Sequence, residues 1–141
     1  MIDDGADERR FGAVSRRMEG MDECPCGRAP YAECCGPLLE GQRAAETPEE
    51  LMRSRYTAFV KGDRFHLART WHPRTRPEDV SADPSTRWTD LQILSSADDG
   101  DTGTVDFVAR FEGRHGPDEL REHSRFARRA GRWVYVDGDV G

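Results

Sequence analysis

The chain has 141 residues, of which 35% are hydrophobic and 34% charged, and its formal net charge is −6. That length suits one domain of ordinary size, and the negative charge argues against broad, sequence-independent nucleic-acid binding, which needs a positive surface. No apolar run approaches the roughly 18 residues of a membrane span and no apolar stretch at the start reads as a secretory signal, so a cytoplasmic protein without membrane contact is expected.

Residues 1–22 open with MIDDGADERR and hold few large apolar side chains, too few to offset their ordering entropy; an unstructured tail is expected there, and Met21 can itself be an initiator. A cysteine-rich segment, 23–41, follows and ends in Gly36-Pro37-Leu38-Leu39-Glu40-Gly41, read as a turn-rich connection. The remaining domain is expected over 46–139. Thr47, Pro48 and Glu50 carry the signature of a helix start, a capping box with proline in the first turn. Leu51, Met52, Tyr56, Phe59 and Val60 then repeat at helical spacing until Gly62. Asp63 caps a second, shorter helix with Phe65, Leu67, Ala68 and Trp71 as its apolar residues, and Pro73 stops it.

A loop spans 73–86, and a strand is expected from Arg87 to Ser95. Asp98-Asp99-Gly100-Asp101 reads as a turn. Val105, Phe107, Ala109 and Phe111 alternate with period two; beyond the turn at 113–117, Leu120, Glu122, Ser124 and Phe126 share one face of the next strand. Ala130-Gly131 turns the chain again, and Trp133, Tyr135 and Asp137 share a face of the last strand. Two helices followed by a strand meander predict an α+β fold, with the helices on one face of a curved antiparallel sheet.

All four cysteines, Cys24, Cys26, Cys34 and Cys35, lie within CPCGRAPYAECC. Four thiolates suit tetrahedral Zn²⁺, and with four protein ligands the ion is structural, having no open position for chemistry. Gly27 permits a tight turn after the first pair, and Tyr31 is placed to pack over the site. Two disulfides and an iron–sulfur cluster are the alternatives, the first disfavoured by a reducing compartment.

CPCG followed by CC and Gly36 resembles the SEC-C zinc motif found at the C-terminus of the SecA translocation motor. LMRSRYTAFVKGD, TWHP, VDFVARF, EHSRF and WVYVDG, in this order, are similar to the bacterial YchJ family of uncharacterised proteins, and the resemblance runs from Cys24 to Gly138. It implies a SEC-C knuckle fused to a cone-like, nuclear-transport-factor-two-like domain. The loop between the cysteine pairs is shorter than the usual SEC-C one, and the second, C-terminal SEC-C motif of some relatives is not found. No reaction follows from the resemblance, because this superfamily hosts isomerases, dehydratases and pure binding modules.

If the sheet face carrying Glu122 looks inward, Glu122 is a candidate acid or base with His72 as its partner, and Arg55, Tyr56, Trp71, Ser124, Tyr135 and Asp137 are candidate pocket residues. The plainer alternatives are an ion pair of Glu122 with Arg53 or Arg55, helix capping by His72, and core roles for the aromatics. His115 and His123 read as surface.

Three roles follow. The first is a protein-interaction module presenting the knuckle; a homodimer through the sheet is also compatible with the sequence. The second is a small-molecule binder or enzyme using the cone. The third is RNA binding by a stripe of Arg114, Arg121, Arg125, Arg128, Arg129 and Arg132, which the net charge disfavours.

Overall fold

The computed structural model describes residues 22–141. The expected tail lies outside the described residues except for Asp22, whose carbonyl accepts a hydrogen bond from the Tyr31 amide at 2.7 Å. Among the described residues no helix is long and apolar enough to cross a membrane.

Three helices precede four strands: α1 (Cys35–Leu39), α2 (Pro48–Lys61), α3 (Arg64–Arg69), β1 (Arg87–Asp98), β2 (Thr102–Gly113), β3 (Gly116–Arg129) and β4 (Arg132–Val140). The segment from Gly36 to Gly41, expected to be only a turn-rich connection, begins inside α1. Leu38 and Leu39 are buried there, and tertiary burial outweighs the poor helix propensity of a Gly-Pro pair.

Helix α2 starts as its sequence dictates. Thr47 Oγ1 accepts from the Glu50 amide at 3.0 Å, and Pro48 occupies the first turn. The Glu50 carboxylate reaches one residue further back than a capping box requires, to the Glu46 amide at 2.8 Å. Gly62 closes α2 at φ 74°, a left-handed conformation that favours glycine. Asp63 then caps α3 through the His66 amide at 3.0 Å. In so short a helix not every apolar residue can face inward. Leu67 is fully buried, whereas Phe65, expected to supply core area, is 75% exposed.

The strands form one antiparallel sheet in the order β1-β2-β3-β4. The β3–β4 turn places both Ala130 and Gly131 at positive φ, the primed geometry that matches strand twist. Register shifts between Trp88 and Asp90 and between Ile93 and Ser95 bend β1, and another at Arg125/Phe126 bends the β3–β4 pair. The sheet thereby curves around α2, which contacts β1, β2 and β4. Thr70 to His72 add a short parallel rung beside β4: the Tyr135 amide donates to Thr70 O at 2.8 Å and the His72 amide to Tyr135 O at 2.7 Å.

One core unites the cysteine segment and the cone. Cys24, Cys26, Cys34 and Cys35 cluster with Leu51, Met52, Tyr56, Phe107 and Phe126. Arg69 ties α3 to α1 by donating to the carbonyls of Leu38 and Leu39, and Arg53 on α2 donates to Cys26 O at 3.0 Å.

Candidate metal centre and cone pocket

The cysteine segment is a hairpin. The Cys24 amide donates to Ala29 O at 3.0 Å and the Gly27 amide to Cys24 O at 2.9 Å, with Gly27 at φ +84° in the turn. A single 3-10 turn, Tyr31–Glu33, leads to the second cysteine pair at the entry to α1. Gly36 is fixed by packing, because a Cβ there would stand 2.8 Å from Tyr31 O and against the Tyr31 ring.

The four sulfur atoms lie within 4.8 Å of one another and are buried, and none of the four cysteines is in a disulfide. Zinc–sulfur bonds of about 2.3 Å in a tetrahedron put sulfurs about 3.8 Å apart; Cys26–Cys34 at 3.4 Å and Cys34–Cys35 at 4.0 Å bracket that value. Donor type, number and compactness thus fit one tetrahedral ion held by Cys24, Cys26, Cys34 and Cys35. The Cys24 thiol is pulled well below its ordinary value by hydrogen bonds from Cys26 and Cys35. Those two are pushed up by the same bonds to Cys24, Cys26 to about 11. A bound metal ion deprotonates such thiols outright. Thr57, fully buried on α2, sets its hydroxyl 3.5 Å from Cys24 Sγ, a contact that orients a ligand from behind.

The second site is a pocket of about 200 Å³ between α2 and the concave sheet face, whose lining includes Arg55, Tyr56, Trp71, Glu122, Ser124 and Tyr135. Met52, Phe59, Trp88, Phe107, Ala109 and Leu120 complete it. These apolar residues follow from helix and strand periodicity, but which of them border empty space depends on sheet curvature.

Glu122 is held by two donors on one oxygen, Ser124 Oγ at 2.7 Å and Tyr135 OH at 2.9 Å, both to Oε2. Burial and the Glu122 carboxylate push the Tyr135 phenol up, so it remains a donor at neutral pH. Burial likewise raises Tyr56, to about 12. Arg55 is 3% exposed, and its Nη1 donates to Leu67 O at 2.9 Å and to Thr70 Oγ1 at 2.7 Å. Its guanidinium carbon lies 4.8 Å from the Trp71 ring centre and 4.6 Å from that of Tyr135. Burial lowers its pKa to about 10, which leaves it a cation at neutral pH.

The anticipated ion pairs of Glu122 are not made. Arg53 pairs with Glu49 at 3.0 Å, and no nitrogen of Arg55 comes within 4.0 Å of a Glu122 oxygen. Two candidates fall outside the pocket. Asp137 is exposed on the opposite sheet face, paired with Arg125 at 2.6 Å. The cause is the register shift in β4: Tyr135 pairs with Phe126 and Asp137 with Arg125, so Val136 is an extra residue that reverses the alternation. His72 lies outside the lining, its Nδ1 accepting from the Arg74 amide at 3.0 Å in a local turn.

His66 escaped the sequence reading. It is 2% exposed, between Ser54 Oγ at 2.8 Å from Nε2 and Arg69 Nη2 at 3.0 Å from Nδ1. Arg69 is obligately a donor, so Nδ1 accepts and Nε2 carries the proton. Burial, then the Arg69 charge, lowers this imidazole to about 4. A lone histidine in a six-residue helix gives no periodic signal of facing inward. His115 is exposed, and His123 sits on the outer sheet face with its Nδ1 2.8 Å from Asp106.

The outer sheet face alternates charges. Arg110 meets Asp90, Arg121 meets Glu119, and Arg125 meets both Asp137 and Asp139. Arg121 and Arg125 of the arginine stripe are therefore neutralised locally, while Arg129 and Arg132 border a separate cleft of about 300 Å³ beside α1.

The family model described as "YchJ, middle NTF2-like domain" matches residues 47–138. A UPF0225 protein of Streptomyces coelicolor is 53% identical over 120 residues, covering 82% of this chain and 94% of the relative. One from Cupriavidus metallidurans is 45% identical over 132 residues, covering 89% and 94%. The solution structure of a SEC-C motif containing protein from Rhodopseudomonas palustris superposes with a TM-score of 0.77 at 34% identity, over 84% of this chain and 98% of that one. The crystal structure of a SEC-C motif containing protein from Psychrobacter arcticus gives 0.71 at 24% identity, over 89% and 86%, a likeness of fold.

Proposed function

The chain belongs to the YchJ family, the UPF0225 proteins, and from that premise we propose that it is a small-molecule-binding cone whose knuckle is stapled in place by a structural zinc ion. One observation carries the ligand-binding reading. The pocket holds a buried guanidinium whose Nε and Nη2 donors have no acceptor among the described residues, beside apolar walls and a carboxylate more than 4.0 Å away. A purely structural core would pair such groups, because unpaired buried charge is costly. At about 200 Å³ the pocket is smaller than drug-sized sites of roughly 300–1,000 Å³, which favours a small ligand.

Zinc is the ion best suited to four compact thiolates in a protein of this kind. Its role here is architectural: the cysteines, Thr57 and Arg53 join the knuckle to the same α2 that carries Arg55. The test of ligand binding is a fragment screen by ligand-observed NMR on the zinc-loaded chain and on Leu120→Trp, which fills the pocket. Fragments that bind the parent and not the variant support the reading; equal binding to both contradicts it.

A protein-interaction role is the second reading, favoured by two exposed apolar side chains about the α2–α3 junction, Val60 at 40% and Phe65 at 75%, where Lys61 Nζ stands 4.5 Å over the Tyr31 ring of the knuckle. Phe65→Asp should abolish association with a purified partner under that reading, and unchanged association would contradict it.

A further inference from the structure

We propose that the cone pocket, read above as a small-molecule site, takes a small carboxylic acid with an apolar body, its carboxylate seated on the guanidinium of Arg55. The inference rests on that reading and adds the ligand class.

A guanidinium has five N–H donors. The two on Nη1 are spent on Leu67 O and Thr70 Oγ1, which pin Arg55 to the end of α3. The three on Nε and Nη2 have no acceptor among the described residues, although the side chain is 3% exposed and lines the pocket. Trp71 and Tyr135, edge to face with ring centres 5.1 Å apart, both flank the guanidinium on one side at 4.8 and 4.6 Å, and with the two Nη1 bonds they fix the fork before any ligand arrives. A fixed fork with spare donors fits the two oxygens of a carboxylate. Trp71, which lines both this pocket and the cleft beside α1, also has a buried indole N–H without a partner among the described residues.

The carboxylate of the pocket itself does not compete. Glu122 Oε2 is taken by Ser124 and Tyr135, and the group stays more than 4.0 Å from the guanidinium. Ser124 and Tyr135 already donate to Glu122, so the free donors that can receive an acid in this pocket are those of Arg55. Phe59, Trp88, Phe107 and Leu120 provide the apolar wall for the body of the molecule.

Phenylacetate and phenylacetamide share size and shape and differ in charge, so they are the probes. In an NMR titration of the zinc-loaded chain, phenylacetate is expected to shift the Trp71 indole N–H and the Arg55 Nε–H. It should bind about tenfold or more tighter than the amide, the factor of a charge-assisted hydrogen bond. Arg55→Lys, which keeps the charge and loses the fork, should remove most of that preference. Amide binding as tight as acid binding at the same resonances overturns the acid class and leaves the small-molecule reading standing. No shift of pocket resonances with either probe overturns both. The comparison on the parent chain needs no variant to fold.

Discussion

Gly138 stands opposite Ser124 in the β3–β4 ladder, and a Cβ built on it would overlap the carboxylate of Glu122. The glycine therefore makes the room in which Glu122 reaches Tyr135 and Ser124. Gly138→Ala should displace that flexible side chain from Ser124 and Tyr135 and cost about 1 kcal/mol, the scale of a lost hydrogen bond. The check is a denaturant titration paired with the NMR signals of Tyr135. A variant as stable as the parent, with Tyr135 unmoved, would show that the carboxylate has other room.

Removal of the metal tests the staple. Elemental analysis should find one zinc per chain, and a chelator should release four titratable thiols and lower the melting temperature of the whole chain, since knuckle and cone share a core. Four free thiols before chelation, with no metal bound, would contradict the site.

Thr57→Val keeps shape and removes the hydroxyl that contacts Cys24. Loss of such an outer contact should weaken metal binding about 10-fold to 100-fold, read by competition against a chromophoric chelator. Unchanged affinity would make the contact incidental.

His66 gives a pH dependence of definite sign. Its folded value of about 4 lies below the ordinary 6.5. Between those values the unfolded chain binds more protons than the folded one, so stability rises with pH there. The stability His66 secures is complete above about pH 6.5 and is lost as pH falls toward 4, on the order of 3 kcal/mol. Denaturant titrations from pH 4 to 7 should show this slope in the parent and a shallower one in His66→Gln. Parallel slopes would mean that His66 titrates as freely in the fold as out of it.

What the sequence conveyed divides along local against non-local physics. The caps at Thr47, Gly62 and Asp63, the strand alternation of β2 and the tight turn at Gly27 each rest on neighbours in the chain, and each is found. The four cysteines were legible because their chemistry is compact in sequence. Arg55, Tyr56, Glu122, Ser124 and Tyr135 share one hollow as helix and strand periodicity suggests, whereas Trp71, expected within the second helix, lies beyond its end on the rung beside β4. Asp137 was misplaced because the extra residue at Val136 breaks that periodicity. His66 was missed, and Phe65 and α1 misread, because helices of five or six residues take their faces from tertiary packing, not from their own pattern.

The most direct test of the account is a map of backbone amide shifts on the zinc-loaded chain with a library of small acids, amides and alcohols. The account predicts that shifts concentrate around Met52, Trp88, Leu120 and Tyr135, which border the pocket from α2 and three strands. Shifts confined to the outer sheet face or to the knuckle surface, or none at millimolar concentrations, would contradict it.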